Sequence, residues 1–260
     1  MHKRPDISSA AVERALEILE TLAHRERGLT NSELSRRLAI PKSSASYLLR
    51  TLEARGYLKR ERLGGRYRLG LKVLNLGQGV QPYLELRRVA LPVLNRLARD
   101  TGITVHLAVL DHGEAVYVER VEGSGSDKPD TWVGRRIKLH STAVGKAIAA
   151  HLPACELESA IAEHGLKMRT FNTITSDARL MHELEKVRAL GFAVDDEENN
   201  TGARCVAAAV LDGFGRIIGA LGVCGTTMQI ERSSLRRKAE SIIDAARELS
   251  AQLSMLSAER

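Results

Sequence analysis

Only three cysteines, Cys155, Cys205 and Cys224, occur in the 260 residues, an odd number with no close pair in sequence. Neither a disulfide framework nor a zinc site of four cysteines can be built from them. Long apolar runs are missing too: charge or glycine interrupts every hydrophobic stretch well short of the roughly 20 residues that a membrane span needs. The opening Met1-His2-Lys3-Arg4-Pro5-Asp6 leads into no signal-type apolar block. These absences predict a cytoplasmic chain with no membrane partner. Signatures of catalysis are equally thin. The eight histidines form no His-Glu-x-x-His, Gly145-Lys146 is preceded by His140 where a phosphate-binding loop needs its first glycine, and Gly123 and Gly125 lack a third. The sequence therefore predicts no catalytic residue, no metal ligand and no cofactor.

What is present is a folded chain with an uneven charge. Hydrophobic residues make up 43% and charged residues 27%, enough to bury a core, and the length suits a small domain plus a medium one. Residues 1–80 hold 16 Lys+Arg against 8 Asp+Glu, a net +8; the remaining 180 hold 23 against 24, a net −1. Such asymmetry implies that one module meets a polyanion and the other does something else. A solvated basic face on a small helical domain would show the same charge, so the pattern must decide.

The pattern is that of three short helices and a hairpin. Ser8 or Ser9 can cap a first helix with Val12, Ala15, Leu16, Leu19, Leu22 and Ala23 at helical spacing. Thr30-Asn31-Ser32-Glu33 is a capping box that opens a second helix. Pro41 suits the first position of a third, on which Ala45, Leu48, Leu49 and Leu52 fix the buried face. The outward face then carries Ser43, Tyr47 and Arg50, with Ser46 beside them and Lys42 and Ser44 at the start of the helix. Small donors, a planar aromatic and a guanidinium can reach base edges and phosphates in a major groove. Tyr57 to Arg60 and Arg66 to Leu69 read as two strands around a glycine-containing turn, a basic hairpin on which Arg62, Arg66 and Arg68 would hold DNA backbone. Together these elements make a winged helix-turn-helix.

The blocks Ala10 to Leu19, Leu38 to Ala45, Leu49 to Leu58 and Arg66 to Gly70 resemble, in order, the IclR-type bacterial transcriptional regulators, and the resemblance covers nearly the whole chain. It implies residues 1–80 as the DNA-binding domain, 81–101 as a linker helix contributing to dimer contacts, and 102–260 as a sheet-and-helix effector domain related to GAF modules. From the residues alone, Leu84 to Ala98 keep a helical apolar spacing that Pro92 should bend or restart. Strands are expected at 104–110, 115–121, 204–211 and 217–224, with helices near 142–150, 176–189 (Ser176 as cap) and 233–253, an α+β arrangement with helices on at least one sheet face.

For a ligand, the strand-like run Trp132 to Leu139 leads into a helix whose first N–H groups, near Ala143 and Val144, could receive a carboxylate; capping by Ser141 or Thr142 is the simpler use of that turn. The resemblance implies that this loop lines an effector cavity, with Asp195, Cys205, Gly222 and Cys224 reaching in. Positions 222 and 224 share one strand face. Many relatives carry serine at both, so Gly222 and Cys224 disfavour a very small acid such as glyoxylate and favour a larger sugar-derived or aromatic one. The acids Asp195 to Glu198, on one loop, read as facing water rather than as metal ligands. The expected function is a ligand-responsive regulator, a repressor, binding operator DNA as a homodimer or a dimer of dimers. Its rivals are a small-acid enzyme with an appended helical domain, for which His106, His140 and Cys205 are the candidate groups, and a thiol redox sensor using Cys205 and Cys224.

Overall fold

Hydrophobic spacing and caps in this sequence generate the elements found in the computed structural model, which describes residues 9–258 except 24, 26 and 126–128. Ser8 and part of the polar loop before Asp130 lie outside the described residues. The chain divides into two compact units, Met1–Gln81 and Pro82–Arg260.

In the first unit, α1 (Ala10–Ala23), α2 (Asn31–Arg37) and α3 (Lys42–Ala54) precede the hairpin β1 (Leu58–Arg60) and β2 (Tyr67–Leu69). The capping box forms: Thr30 Oγ1 accepts from the Glu33 N–H, and the Glu33 carboxylate accepts from the Thr30 N–H at 2.7 Å. Pro41 sits one residue earlier than its spacing suggests, as the residue preceding α3. The core gathers Ile18, Leu22, Leu34, Ala45, Leu49, Leu58 and Tyr67. The stripe expected on α1 is therefore displaced. Val12 and Leu16 are exposed, Leu22 is buried as expected, and Ile18 turns inward beside it. A short helix that the periodicity does not announce, α4 (Lys72–Gly77), follows the wing.

In the second unit, α5 (Gln81–Thr101) runs through Pro92 without a break. Pro92 lies on the exposed side of the helix, where the carbonyl released by its missing N–H can be hydrated. The opposite side, Leu86, Ala90, Val93, Leu94, Leu97 and Ala98, is buried. Six antiparallel strands follow: β3 (Thr104–Asp111), β4 (Glu114–Val121), β5 (Arg136–Ile137), β6 (Ala193–Asp196), β7 (Ala203–Leu211) and β8 (Ile217–Thr226), in the spatial order β5-β4-β3-β8-β7-β6. The remaining helices are α6 (Ala143–Ala149), α7 (Ala154–His164), α8 (Asp177–Leu190) and α9 (Leu235–Ala258). Strand alternation splits the sheet into two faces. Val105, Leu107, Val206, Ala208, Leu221 and Val223 pack with α5 and α9; Ala108, Ala207 and Ala220 pack with α6, α7 and α8 on the other side. Helices thus cover both faces. Of the strand-like run Trp132 to Leu139, only Arg136 and Ile137 pair, with Val116 and Ala115; the residues before them form a loop.

Candidate functional site

The first unit presents one polar face. Burial of Ala45 and Leu49 directs the opposite side of α3 outward, so Lys42, Ser43, Tyr47 and Arg50 are exposed, with Ser44 and Ser46 half-buried at the edges. On the wing, Lys59 and Arg68 stand directly opposite each other in the ladder. Arg68 also pairs with Glu61 at 2.7 Å. Lys59 is a wing cation beyond those expected from the sequence, although the period of two from the buried Leu58 signals its outward direction. Arg62 is exposed beside Leu63 at the tip of the hairpin. Arg66 departs from its expected role. Its Nη1 donates to the Gly28 carbonyl at 3.0 Å and to Glu33 at 3.2 Å. The guanidinium ties the wing to the capping box of α2, because the fold brings Glu33 within reach from 33 residues away.

In the second unit, the face of the sheet shared with α6 opens into a cavity of about 730 Å³. All six residues expected there, Ala143, Val144, Asp195, Cys205, Gly222 and Cys224, line it. His106 on β3 and Tyr117 on β4 supply an aromatic wall, their rings 4.4 Å apart and tilted by 31°. The loop before β5 contributes Thr131 and Arg135. The Arg135 guanidinium lies over the Trp132 ring at 4.7 Å and donates to the Asp130 carbonyl. Among the described residues it is the cation of the cavity lining, and its neighbours in sequence give no sign of that.

The capping alternative for α6 is realised: Thr142 Oγ1 accepts from the Gly145 N–H at 3.1 Å and donates to the Lys138 carbonyl at 2.8 Å. Gly145 is glycine for space, since a Cβ there would meet the Lys138 carbonyl at 2.4 Å. Lys146 is fully buried, with Nζ 2.6 Å from Glu198 and 2.9 Å from Glu183. The Gly-Lys pair is thus a close-packing residue followed by an internal ion-pair centre. Glu198 is buried as well, as is Asp195, which corrects the expectation that the run of acids faces water. Asp195 and Asp196 end β6, and the turn after them folds inward onto Lys146.

Several titratable groups in the cavity are held far from their ordinary values. Burial pushes Asp195 up from 3.8 to about 7, although N–H groups of Glu198 at 2.8 Å and Asn199 at 3.2 Å favour its charged form. Burial, together with the charges of Arg120 and Arg135, brings His106 down from 6.5 to about 3. Its neutral ring is fixed by Thr131, with Nε2 2.6 Å from Oγ1. Cys205 is pushed above its usual range by a hydrogen bond with Cys224, by burial and by the nearby Asp195. Chemically, the cavity offers a guanidinium, a near-neutral carboxyl, a neutral imidazole and two sulfurs, a set suited to hydrogen bonding rather than to nucleophilic attack. Gly222 has no room for a side chain: a Cβ would lie 2.6 Å from that of Ala207. Among the described residues no group of three or more His, Cys, Asp and Glu could hold a metal ion, and no helix is long and apolar enough to cross a membrane.

Comparison with known proteins places this geometry in context. Residues 11–62 match the model of the IclR helix-turn-helix domain, and residues 79–251 that of the bacterial transcriptional regulator IclR C-terminal domain. The HTH-type transcriptional regulator XynR of Escherichia coli is 36% identical over 94% of this chain and 96% of its own length. KdgR of the same organism, also an HTH-type transcriptional regulator, is 34% identical over 97% and 95%. The crystal structure of the Thermotoga maritima IclR aligns with a TM-score of 0.78 and 32% identity, over 94% of this chain and 98% of that one.

Proposed function

The chain belongs to the IclR family of bacterial transcriptional regulators, and on that premise we propose that it is a repressor whose grip on operator DNA is altered by an organic acid bound in the cavity of its second unit. DNA binding and regulation follow from the family. The ligand, its class and the contacting residues are our reading, and the observation that carries it is the convergence of Arg135, Asp195, Cys205 and Cys224 on one cavity with the start of α6. A carboxylate would take the Arg135 guanidinium and the first N–H groups of α6, at Ala143 and Val144. Its hydroxyl or ring substituents would face Asp195, His106 and the two sulfurs. At about 730 Å³ the cavity exceeds what a two-carbon acid fills, which supports a sugar-derived or aromatic acid. Cys205, held protonated, and His106, held neutral by burial, support capture without turnover.

For DNA, we assign base and phosphate contacts to Lys42, Ser43, Ser44, Ser46, Tyr47 and Arg50 on α3, with Arg62, Arg68 and Lys59 of the wing on backbone. Arg66 remains a structural tie that steadies them. Action as a homodimer or a dimer of dimers would present two such faces to a two-fold operator. The effector acts by binding one arrangement of the protein better than another, a coupling free energy between the two sites.

Thermal-shift screening of the purified chain against carboxylic and sugar acids should yield at least one compound that raises the melting point, because a ligand preferring the native state stabilises it. Arg50→Ala should keep that shift while losing roughly 1–3 kcal/mol of operator binding in a mobility-shift titration. The slope of log affinity against log salt should also become shallower by about one for a lost phosphate contact. Equal loss of ligand and DNA binding would make Arg50 a folding residue. A complex insensitive to salt would remove the phosphate contacts altogether.

A further inference from the structure

Cys205 and Cys224 are far apart in sequence yet directly opposite each other on β7 and β8, and both line the cavity. The ladder fixes what kind of pair they are. The Thr227 N–H donates to the Gly202 carbonyl at 2.9 Å, which makes 202 and 227 a hydrogen-bonded pair. Register is unbroken from Ala203↔Thr226 to Cys205↔Cys224. Counting along it, 203 and 226 form a non-hydrogen-bonded pair, 204 and 225 a hydrogen-bonded one, and Cys205 and Cys224 again a non-hydrogen-bonded one. Side chains of such pairs stand closest across an antiparallel ladder, with Cα atoms about 4.5 Å apart, inside the roughly 4.4–6.8 Å that a disulfide spans. The Cys224 thiol lies close enough to raise the cost of ionising Cys205. Both are half-buried rather than sealed, because their sulfurs face the cavity. Cys155 lies apart from them, exposed on α7.

We propose that Cys205 and Cys224 are a modification site: a cavity-wall dithiol that small dialkyl disulfides convert, reversibly, into a cross-strand disulfide. In the first step the sulfur of one cysteine attacks one sulfur of the reagent. A protein–reagent S–S bond forms, the reagent's S–S bond breaks, and one alkylthiolate leaves and takes up the proton given up by the cysteine. The second cysteine then attacks the sulfur of the first, forming the Cys205–Cys224 bond and expelling the second alkylthiolate, which takes the second proton. The protein is oxidised by loss of two hydrogens, and the reagent is reduced to two thiols. Because the Cys205 thiol is held protonated at neutral pH, the exchange accelerates as pH rises. The same protonation keeps Cys205 slow toward peroxide, which needs the thiolate. Closure also removes the S–H of Cys205, which stands opposite Asp195 in the ladder, so the oxidised cavity presents a different set of donors to a ligand.

The test uses the full chain carrying Cys155→Ser, incubated with bis(2-hydroxyethyl) disulfide above neutral pH, quenched in acid and read by intact mass and peptide mapping. The expected product is a monomeric chain lighter by two hydrogens, with the peptides of Cys205 and Cys224 joined and released by dithiothreitol. Cys205→Ser and Cys224→Ser, each in the same background, should stop at a single reagent adduct on the remaining cysteine, which also shows that each thiol is reached in a folded chain. A parent that accumulates one adduct on each cysteine without a cross-link, or that stays fully reduced while the single variants react, overturns the proposal. The readout is sulfur chemistry alone, so it stands apart from whether the chain binds DNA or an acid.

Discussion

Replacing Lys146 by methionine should destabilise the second unit by about 3–5 kcal/mol, the usual cost of breaking a buried ion pair by removing one partner. Methionine nearly preserves the volume, so the loss comes from charge rather than from a hole. Nζ is the shared partner of Glu198 and Glu183, and Lys146 is completely buried in the middle of α6. Without it, Glu198 keeps a buried carboxylate whose Oε2 already has no hydrogen-bond partner. Burial raises Glu198 above its ordinary value even with Lys146 beside it. The variant should therefore recover part of its stability as pH falls and the acid is neutralised. Adding Glu198→Gln should restore a further part at neutral pH, and the double-mutant cycle from urea unfolding would give the coupling directly. A single variant within about 1 kcal/mol of the parent would mean that the three groups are solvated in solution. The effect should reach the cavity as well, since Thr173 and Thr170 donate to the Glu198 and Glu197 carbonyls, both at 2.6 Å, and brace the same turn that carries Asn199 to the lining.

The second large effect concerns pH. Asp195 titrates near 3.8 when unfolded and near 7 when folded. Between those values the native state holds a proton that the unfolded chain has released, so this group's contribution to stability is present at low pH and is lost as pH rises through 7. At about 1.4 kcal/mol per unit the loss is on the order of 4 kcal/mol. His106 works in the opposite direction. Unfolded it takes a proton below 6.5, whereas folded it resists down to about 3, so its contribution is lost as pH falls through that window. Between about 4 and 6.5 the two slopes oppose each other. The parent should therefore show little net pH dependence from this pair, while Asp195→Asn should gain stability relative to the parent by on the order of 4 kcal/mol from about pH 4 to above 7. His106→Gln should show the reverse trend. Unfolding free energies at several pH values check both, and a constant difference between Asp195→Asn and the parent would place Asp195 in an ordinary solvated setting.

How far a residue's role is legible in the sequence depends on whether its partner is local. The Thr30 to Glu33 capping box and the outward side of α3 follow from residues three or four apart, and the amino-acid order alone suffices for both. Asp195, Cys205, Gly222 and Cys224 are legible through family resemblance and strand period, and they line the cavity together. Residues whose partners come from afar are not. Arg66 reads as a phosphate contact because nothing nearby shows that Glu33 will meet it. Glu198 reads as solvated because Lys146 lies 52 residues earlier. Arg135 and Tyr117 give no local signal, since a cavity is made by elements that are distant along the chain. Helix α7 is silent for a different reason: only Leu157 and Ala160 are buried along its 11 residues, too sparse a stripe to stand out among its acids.

Along β8, Leu221 and Val223 are fixed by the packing of α5 and α9, Ala220 by the helices of the opposite face and Gly222 by the Cβ of Ala207, whereas Cys224 borders the ligand space. Of these five letters the first four hold the scaffold and the last meets the guest. Descendants of such a strand can change diet by editing that last letter, with the stability of the domain largely written in the letters left alone.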